Sequence, residues 1–147
     1  MRQLLSALKM TIRGKLNYLK PNEIFYTIHE DILPGHIRQM GLGIKDGPIS
    51  RRELAGEMWE VTLQVKLVLW SGWVNDDERL LGGAVGRGVL EMAEDVHAAL
   101  DQNLLQIDNM IEAFSPSETE SGPYGNESRT MQRKVITYQY VKEEKRP

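Results

Sequence analysis

The chain has 147 residues, a net charge of −3 from 18 basic and 21 acidic side chains, 41% apolar residues and no cysteine. That length fits one domain of common size, 1–147, whose folding buries about 70% of the unfolded chain's surface. The composition excludes a disordered chain and gives no basic excess for nucleic acid; the missing cysteines exclude disulfides, thiolate zinc sites, iron–sulfur clusters and a cysteine nucleophile.

Leu4, Leu5, Leu8, Ile12, Leu16 and Leu19 recur at three- and four-residue steps, which predicts an amphipathic helix over residues 2–19 that ends before Pro21. The opening carries Arg2, Lys9, Arg13 and Lys15 and reaches nowhere near the roughly 18 uncharged apolar residues of a spanning helix. With a leucine-rich face that lacks Trp and Phe, it reads as a helix docking on its own protein, with no membrane partner. Residues 24–28 (IFYTI) read as a short strand that leaves the sheet before Pro34. Residues 36–56, punctuated by Gly41, Gly43, Gly47 and Pro48, read as a loop region with at most a short strand at 39–45.

The clearest pattern is MWEVTLQVKLVLW, residues 58–70. Trp59, Val61, Leu63, Val65, Leu67 and Leu69 share one face, and Glu60, Thr62, Gln64 and Lys66 the other. This is a long strand buried on one side, and after Lys66 the polar face turns apolar at Val68 and Trp70, so its far end is covered twice or meets a partner. Asn75, Asp76 and Asp77 supply a capping turn before a second helix over roughly 79–104, with the stripe Leu81, Val85, Val89, Met92, Val96, Ala99 and Leu100. Glycines 82, 83, 86 and 88 loosen its first turns and set a firm start near Val89. A short strand is expected over 107–114, a long flexible loop over the Ser-, Pro- and Gly-rich 115–129, and a closing strand over 131–141. The fold class is α+β, a mostly antiparallel sheet flanked by two main helices.

Candidate chemistry is sparse. His29, His36 and His97 have no metal-ligand spacing, the acidic pairs Glu30–Asp31 and Asp76–Asp77 sit in polar turns, and Ser71 has no nucleophile elbow. The glycine-rich LGGAVGRG fits neither phosphate-binding spacing and follows an acidic segment, so it reads as a tight turn and close packing. Basic residues alternate with acids rather than forming a nucleic-acid stripe. No catalytic, cofactor or metal site is expected. Trp59 reads as core, while Trp70 and Trp73, at a strand end and its loop, compete between core and subunit interface.

The order of an N-terminal amphipathic helix, FYTIHEDILPG, the central strand MWEVTLQVKLVLWSG, an acidic-led helix ending DVHAALDQNLL, a Ser/Gly/Pro loop and a closing RKVITYQYV strand resembles the tail-terminator (tail-completion) family of long-tailed bacteriophages. The likeness is one of layout and length over nearly the whole chain, without a catalytic signature. The resemblance implies a non-enzymatic structural virion protein. As a hexameric ring it would sit on the last ring of tail tube protein, end polymerisation and present a joint to a neck or head-completion protein, with DNA passing through the lumen unread. It implies a place in the virion's tail and neck, with assembly in the host cytoplasm. A ring needs exposed apolar or strand-edge surface, for which Trp70, Trp73, Tyr138 and Tyr140 are candidates. The loops 36–56 and 115–129, with Arg51, Arg52, Tyr124 and Arg129, are candidates for docking partners. A head-completion or neck connector protein, or a small α+β ligand-binding domain, are the competing readings.

Overall fold

Alternation over Met58–Ser71 (β3) makes this strand the middle of the molecule, because both of its edges are paired and its apolar face is covered. The computed structural model describes residues 1–72, 80–83, 86–126 and 129–145, with the side chains of residues 126 and 129 left aside. In chain order the described elements are α1 (Arg2–Lys15), a 3₁₀ turn (Pro21–Glu23), β1 (Ile24–Tyr26), β2 (Met40–Leu54), β3, α2 (Val89–Leu100), β4 (Met110–Glu118), β5 (Gly122–Asn126) and β6 (Arg129–Lys145). They form a six-stranded sheet in the order β1-β2-β3-β6-β4, with β5 pairing further along β6. Only β1 runs parallel to its neighbour; the other ladders are antiparallel.

The α+β class and the mostly antiparallel sheet hold, but the helices do not flank the sheet on two sides. Leu4, Leu8 and Ile12 of α1 and Val89, Met92 and Val96 of α2 enter one cluster with Val61, Leu63, Val65, Leu67 and Leu69, so both helices cover the same face. The reason lies in β3, whose other face is polar as far as Lys66 and has nothing to offer an apolar helix stripe. Past Lys66, Val68 and Trp70 join Ile37, Met131 and Val135 in a second small cluster on that opposite face. Trp59 is only partly buried, packed against the rim of the main cluster.

Two segments read as loops are strands. Residues 40–54 form β2, and its glycines serve close approach: a Cβ at Gly43 would lie 3.0 Å from Thr27 Cγ2, and one at Gly47 2.7 Å from the carbonyl oxygen of Gln64. Most of the 115–129 segment becomes the end of β4 and then β5, because the 17-residue β6 offers one continuous edge for both. A register shift between Phe114 and Ser117 absorbs Pro116, and Ser115 Oγ donates to the Thr137 carbonyl oxygen at 2.7 Å across the gap. The second helix is firm from Val89 to Leu100, the start that the glycines set, and Leu81 ahead of it is 62% exposed. Val85 and the acidic turn at 75–77 lie outside the described residues. The first helix ends at Lys15, four residues short of the predicted stripe, yet Leu16 and Leu19 remain buried below it.

Burial ranks the tryptophans. Replacing Trp70, 1% exposed, with Ala is expected to cost about 3–5 kcal/mol, while Trp59→Ala at the rim costs about 1–2 kcal/mol. Urea midpoints of the two variants check the order, and equal losses would contradict it.

Candidate functional site

Few described side chains gather as reactive groups do. The largest polar cluster ties α2 to the outer sheet: Tyr138 OH donates to Asp101 Oδ1 at 2.6 Å and lies 2.8 Å from His97 Nδ1. His97 Nε2 donates to Glu118 Oε1 at 3.1 Å, and Lys134 Nζ stands 3.2 Å from Glu118 Oε2. Burial opposes charge on Glu118, but the hydrogen bonds from Lys134 and His97 outweigh it and hold the carboxyl below its ordinary range. Burial, then the bond to Asp101, pushes the Tyr138 phenol well above its usual range. His97 is therefore a half-buried bracket, which a helix pattern with one isolated histidine could not reveal. Tyr138, His97, Glu118 and Lys134 each face a partner from the chain itself, as in a structural network.

A second bracket joins the two helices. Tyr18 OH donates to Asp95 Oδ2 at 2.6 Å, and Arg87 pairs with Glu91 and, at 3.6 Å, with Asp95. Arg87 is thus engaged by carboxylates at the start of α2, where a bound phosphate would need it. Gly82 takes a left-handed φ of +85°, and a Cβ there would overlap the Glu91 carboxylate; Gly88 abuts the backbone of Leu80. These glycines pack closely, in keeping with the reading as a tight turn. Among the described residues no group of three His, Asp or Glu side chains is placed to hold a metal. His36 faces the Asn22 carbonyl oxygen at 3.1 Å and stacks edge-on against Phe25.

The proposed interface residues are placed differently from one another. Trp70 is 1% exposed, and Tyr138 and Tyr140 are fully buried, all three inside the chain's own clusters, so none of these rings is presented to a neighbour. Trp73 lies outside the described residues. Alternation explains the tyrosines: residues 136, 138 and 140 of β6 point under the helices, a face the sequence alone did not assign. The proposed docking residues separate to opposite ends of the strands. Arg51 and Arg52 are exposed near the β2–β3 turn, with Arg52 Nη2 3.1 Å from Glu60 Oε2. Tyr124 sits at the far end of the sheet, edge-on to Trp70 with the Arg133 guanidinium 4.0 Å above its ring. Arg129 opens β6 opposite Asn126.

What remains open to solvent is one face of the sheet. Ser50, Arg52, Glu60, Thr62, Gln64 and Lys66 and, across the β3–β6 ladder, Thr137, Gln139 and Glu143 form a polar wall opposite the helices. Several of its members are paired: Arg52 with Glu60, Gln64 Nε2 donating to Gln139 Oε1 at 3.2 Å, and Lys66 Nζ 3.0 Å from Glu30 Oε2 in a nearby loop. Compared with protein-family models and with curated proteins, the chain matches none.

The Glu118 bracket gives a pH-dependent expectation. A carboxyl held below its ordinary range adds stability that is fully present above that range and is lost as pH falls through the lowered value. Because Glu118 is 37% exposed, screening limits the effect. Glu118→Gln is expected to lose about 1 kcal/mol at pH 7 and to match the parent once both are acidified to pH 3. Urea unfolding at the two pH values measures this; a loss that persists undiminished at pH 3 would contradict it.

Proposed function

We propose that this chain is a non-enzymatic, ring-forming virion protein that caps a phage tail tube, ends its growth and joins it to a neck or head-completion protein. The observation that carries the reading is the polar sheet wall opposite the helices. It is broad and regular, and its charges are largely matched within the chain, Arg52 by Glu60 and Lys66 by Glu30. A wall of that kind suits a water-filled channel through which DNA passes, because a surface without surplus cations gives phosphates little counterion-release attraction. The layout the chain shares with tail terminators adds the tube and the neck as partners, and six copies as the ring.

The separation of Arg51–Arg52 from Tyr124 supports the same reading. If the strands run along the ring axis, these two groups lie at opposite mouths, one toward the tube and one toward the neck. Adding the purified chain to polymerising tail tube protein is expected to shorten the tubes and leave a density on one end in electron micrographs. Tube lengths indifferent to the chain, with bare ends, would overturn the reading. Binding to isolated neck particles in place of tubes would move the chain to the head-completion side of the joint.

A further inference from the structure

We propose that copies of this chain join head to tail, with the basic flank at α1 and β1 of one copy set against the acidic flank at β4 of the next. The proposal deepens the ring reading, on which it rests for closure, by naming the two surfaces that meet.

Charge is segregated along the chain. Residues 1–22 contain Arg2, Lys9, Arg13, Lys15 and Lys20 and no acid, whereas residues 101–126 contain Asp101, Asp108, Glu112, Glu118 and Glu120 and no base. Arg2, Lys9 and Arg13 are spaced seven and four residues apart, which lines them along one helical face. That face overhangs β1: Lys9 Nζ lies 4.4 Å from the centre of the Tyr26 ring, and Arg13 reaches the Pro21 carbonyl oxygen at 3.4 Å. The acidic segment ends in β4, the edge strand opposite β1, while the first part of its α2–β4 loop (Asn103, Leu105, Gln106) borders Lys15 of α1. Asp108, just before β4, and Glu112 on it are exposed.

Both flanks also carry apolar surface. Beside β1 an open groove of about 440 Å³ is lined by Leu5, Tyr26, Thr27, Ile28, Ile44 and Asp46, with Ile28 78% and Tyr26 50% exposed. On β4, Ile111 is 51% and Phe114 37% exposed. The cross-strand row from Tyr26 runs through Ile44, Leu67 and Ile136 to Glu118, so β1 shares a level with the end of β4, while Phe114 lies three residues further along β3, on the row through Gln64 and Gln139. Rotation about an axis along the strands therefore brings the end of β4 of one copy to the groove of the next without sliding it along the axis, which is the condition for a closed ring rather than a filament.

The junction is made by side chains and not by extending the sheet. The outer edge of β2 beyond the groove carries a register shift, Pro48 and Arg51, all features that discourage strand addition. On β4 the Ala113 carbonyl oxygen already accepts the Gln102 N–H at 3.1 Å. Like flanks repel, so a two-fold contact of α1 with α1 is disfavoured and the contact is heterologous.

Native mass spectrometry and light scattering of charge-reversed chains test this. Glu112→Lys with Asp108→Lys reverses one flank, and Arg2→Glu with Arg13→Glu reverses the other. Each double variant, folded by its urea midpoint, is expected to lose self-association at least tenfold, and mixing the two at equal ratio is expected to restore assemblies in which they alternate. Parent chains that remain monomeric at every concentration, variants that assemble as the parent does, or a mixture that stays monomeric would overturn the proposal. Tube capping is scored separately. Rings built through these flanks that leave tubes bare refute the capping reading alone, whereas flank variants that still form rings on tube ends refute this contact alone.

Discussion

The rest of the structure depends on the change of character along one face of β3. One side of that strand is apolar from Val61 to Leu69 and draws α1 and α2 down together. The other side is polar to Lys66 and apolar at Val68 and Trp70, so the loop before β2 and the start of β6 must close over its last residues. A single strand thereby sets a two-layer body, a small second core at one end and a solvated wall over the remainder. Both brackets, Tyr138–His97–Glu118 and Tyr18–Asp95–Arg87, then fix the helical layer to the sheet or its helices to each other.

Much of this layout is legible in the residues, because period-two and period-3.6 patterns are written directly by burial. Met58–Ser71 and the stripe from Val89 to Leu100 are the clearest cases. The segments 40–54 and 115–126 were illegible for one shared reason: their strand character comes from a long neighbour, β3 or β6, and their own Gly, Pro and Ser content points to turns. Tertiary pairing overrides propensity most easily at such edges. The site was less legible than the fold. Tyr138 and Tyr140 alternate as any half-exposed strand would, and only the position of α2 decides that their face is the covered one. His97, one histidine on a helix, gains its meaning from Glu118 and Tyr138, residues far away in the chain.

The charge pattern carries information that hydrophobic periodicity does not. A net charge of −3 conceals a chain that begins wholly basic and has a wholly acidic stretch before its last strand. The fold carries β1, beside the basic helix, and the acidic β4 to opposite edges of the sheet while pairing Arg52 with Glu60 and Lys66 with Glu30 on the open face. The proposed ring assigns these surfaces by direction: flanks toward copies of the chain, strand ends toward partners above and below, and the wall toward the channel.

The most direct measurement of that account is a cryo-electron microscopy reconstruction of the chain bound at tail-tube ends. The account predicts a closed ring in which the wall bearing Gln64, Lys66 and Gln139 faces the lumen and α1 and α2 lie on the outside. A ring with its helices facing the channel, or tube ends that carry no ring of this chain, would contradict it.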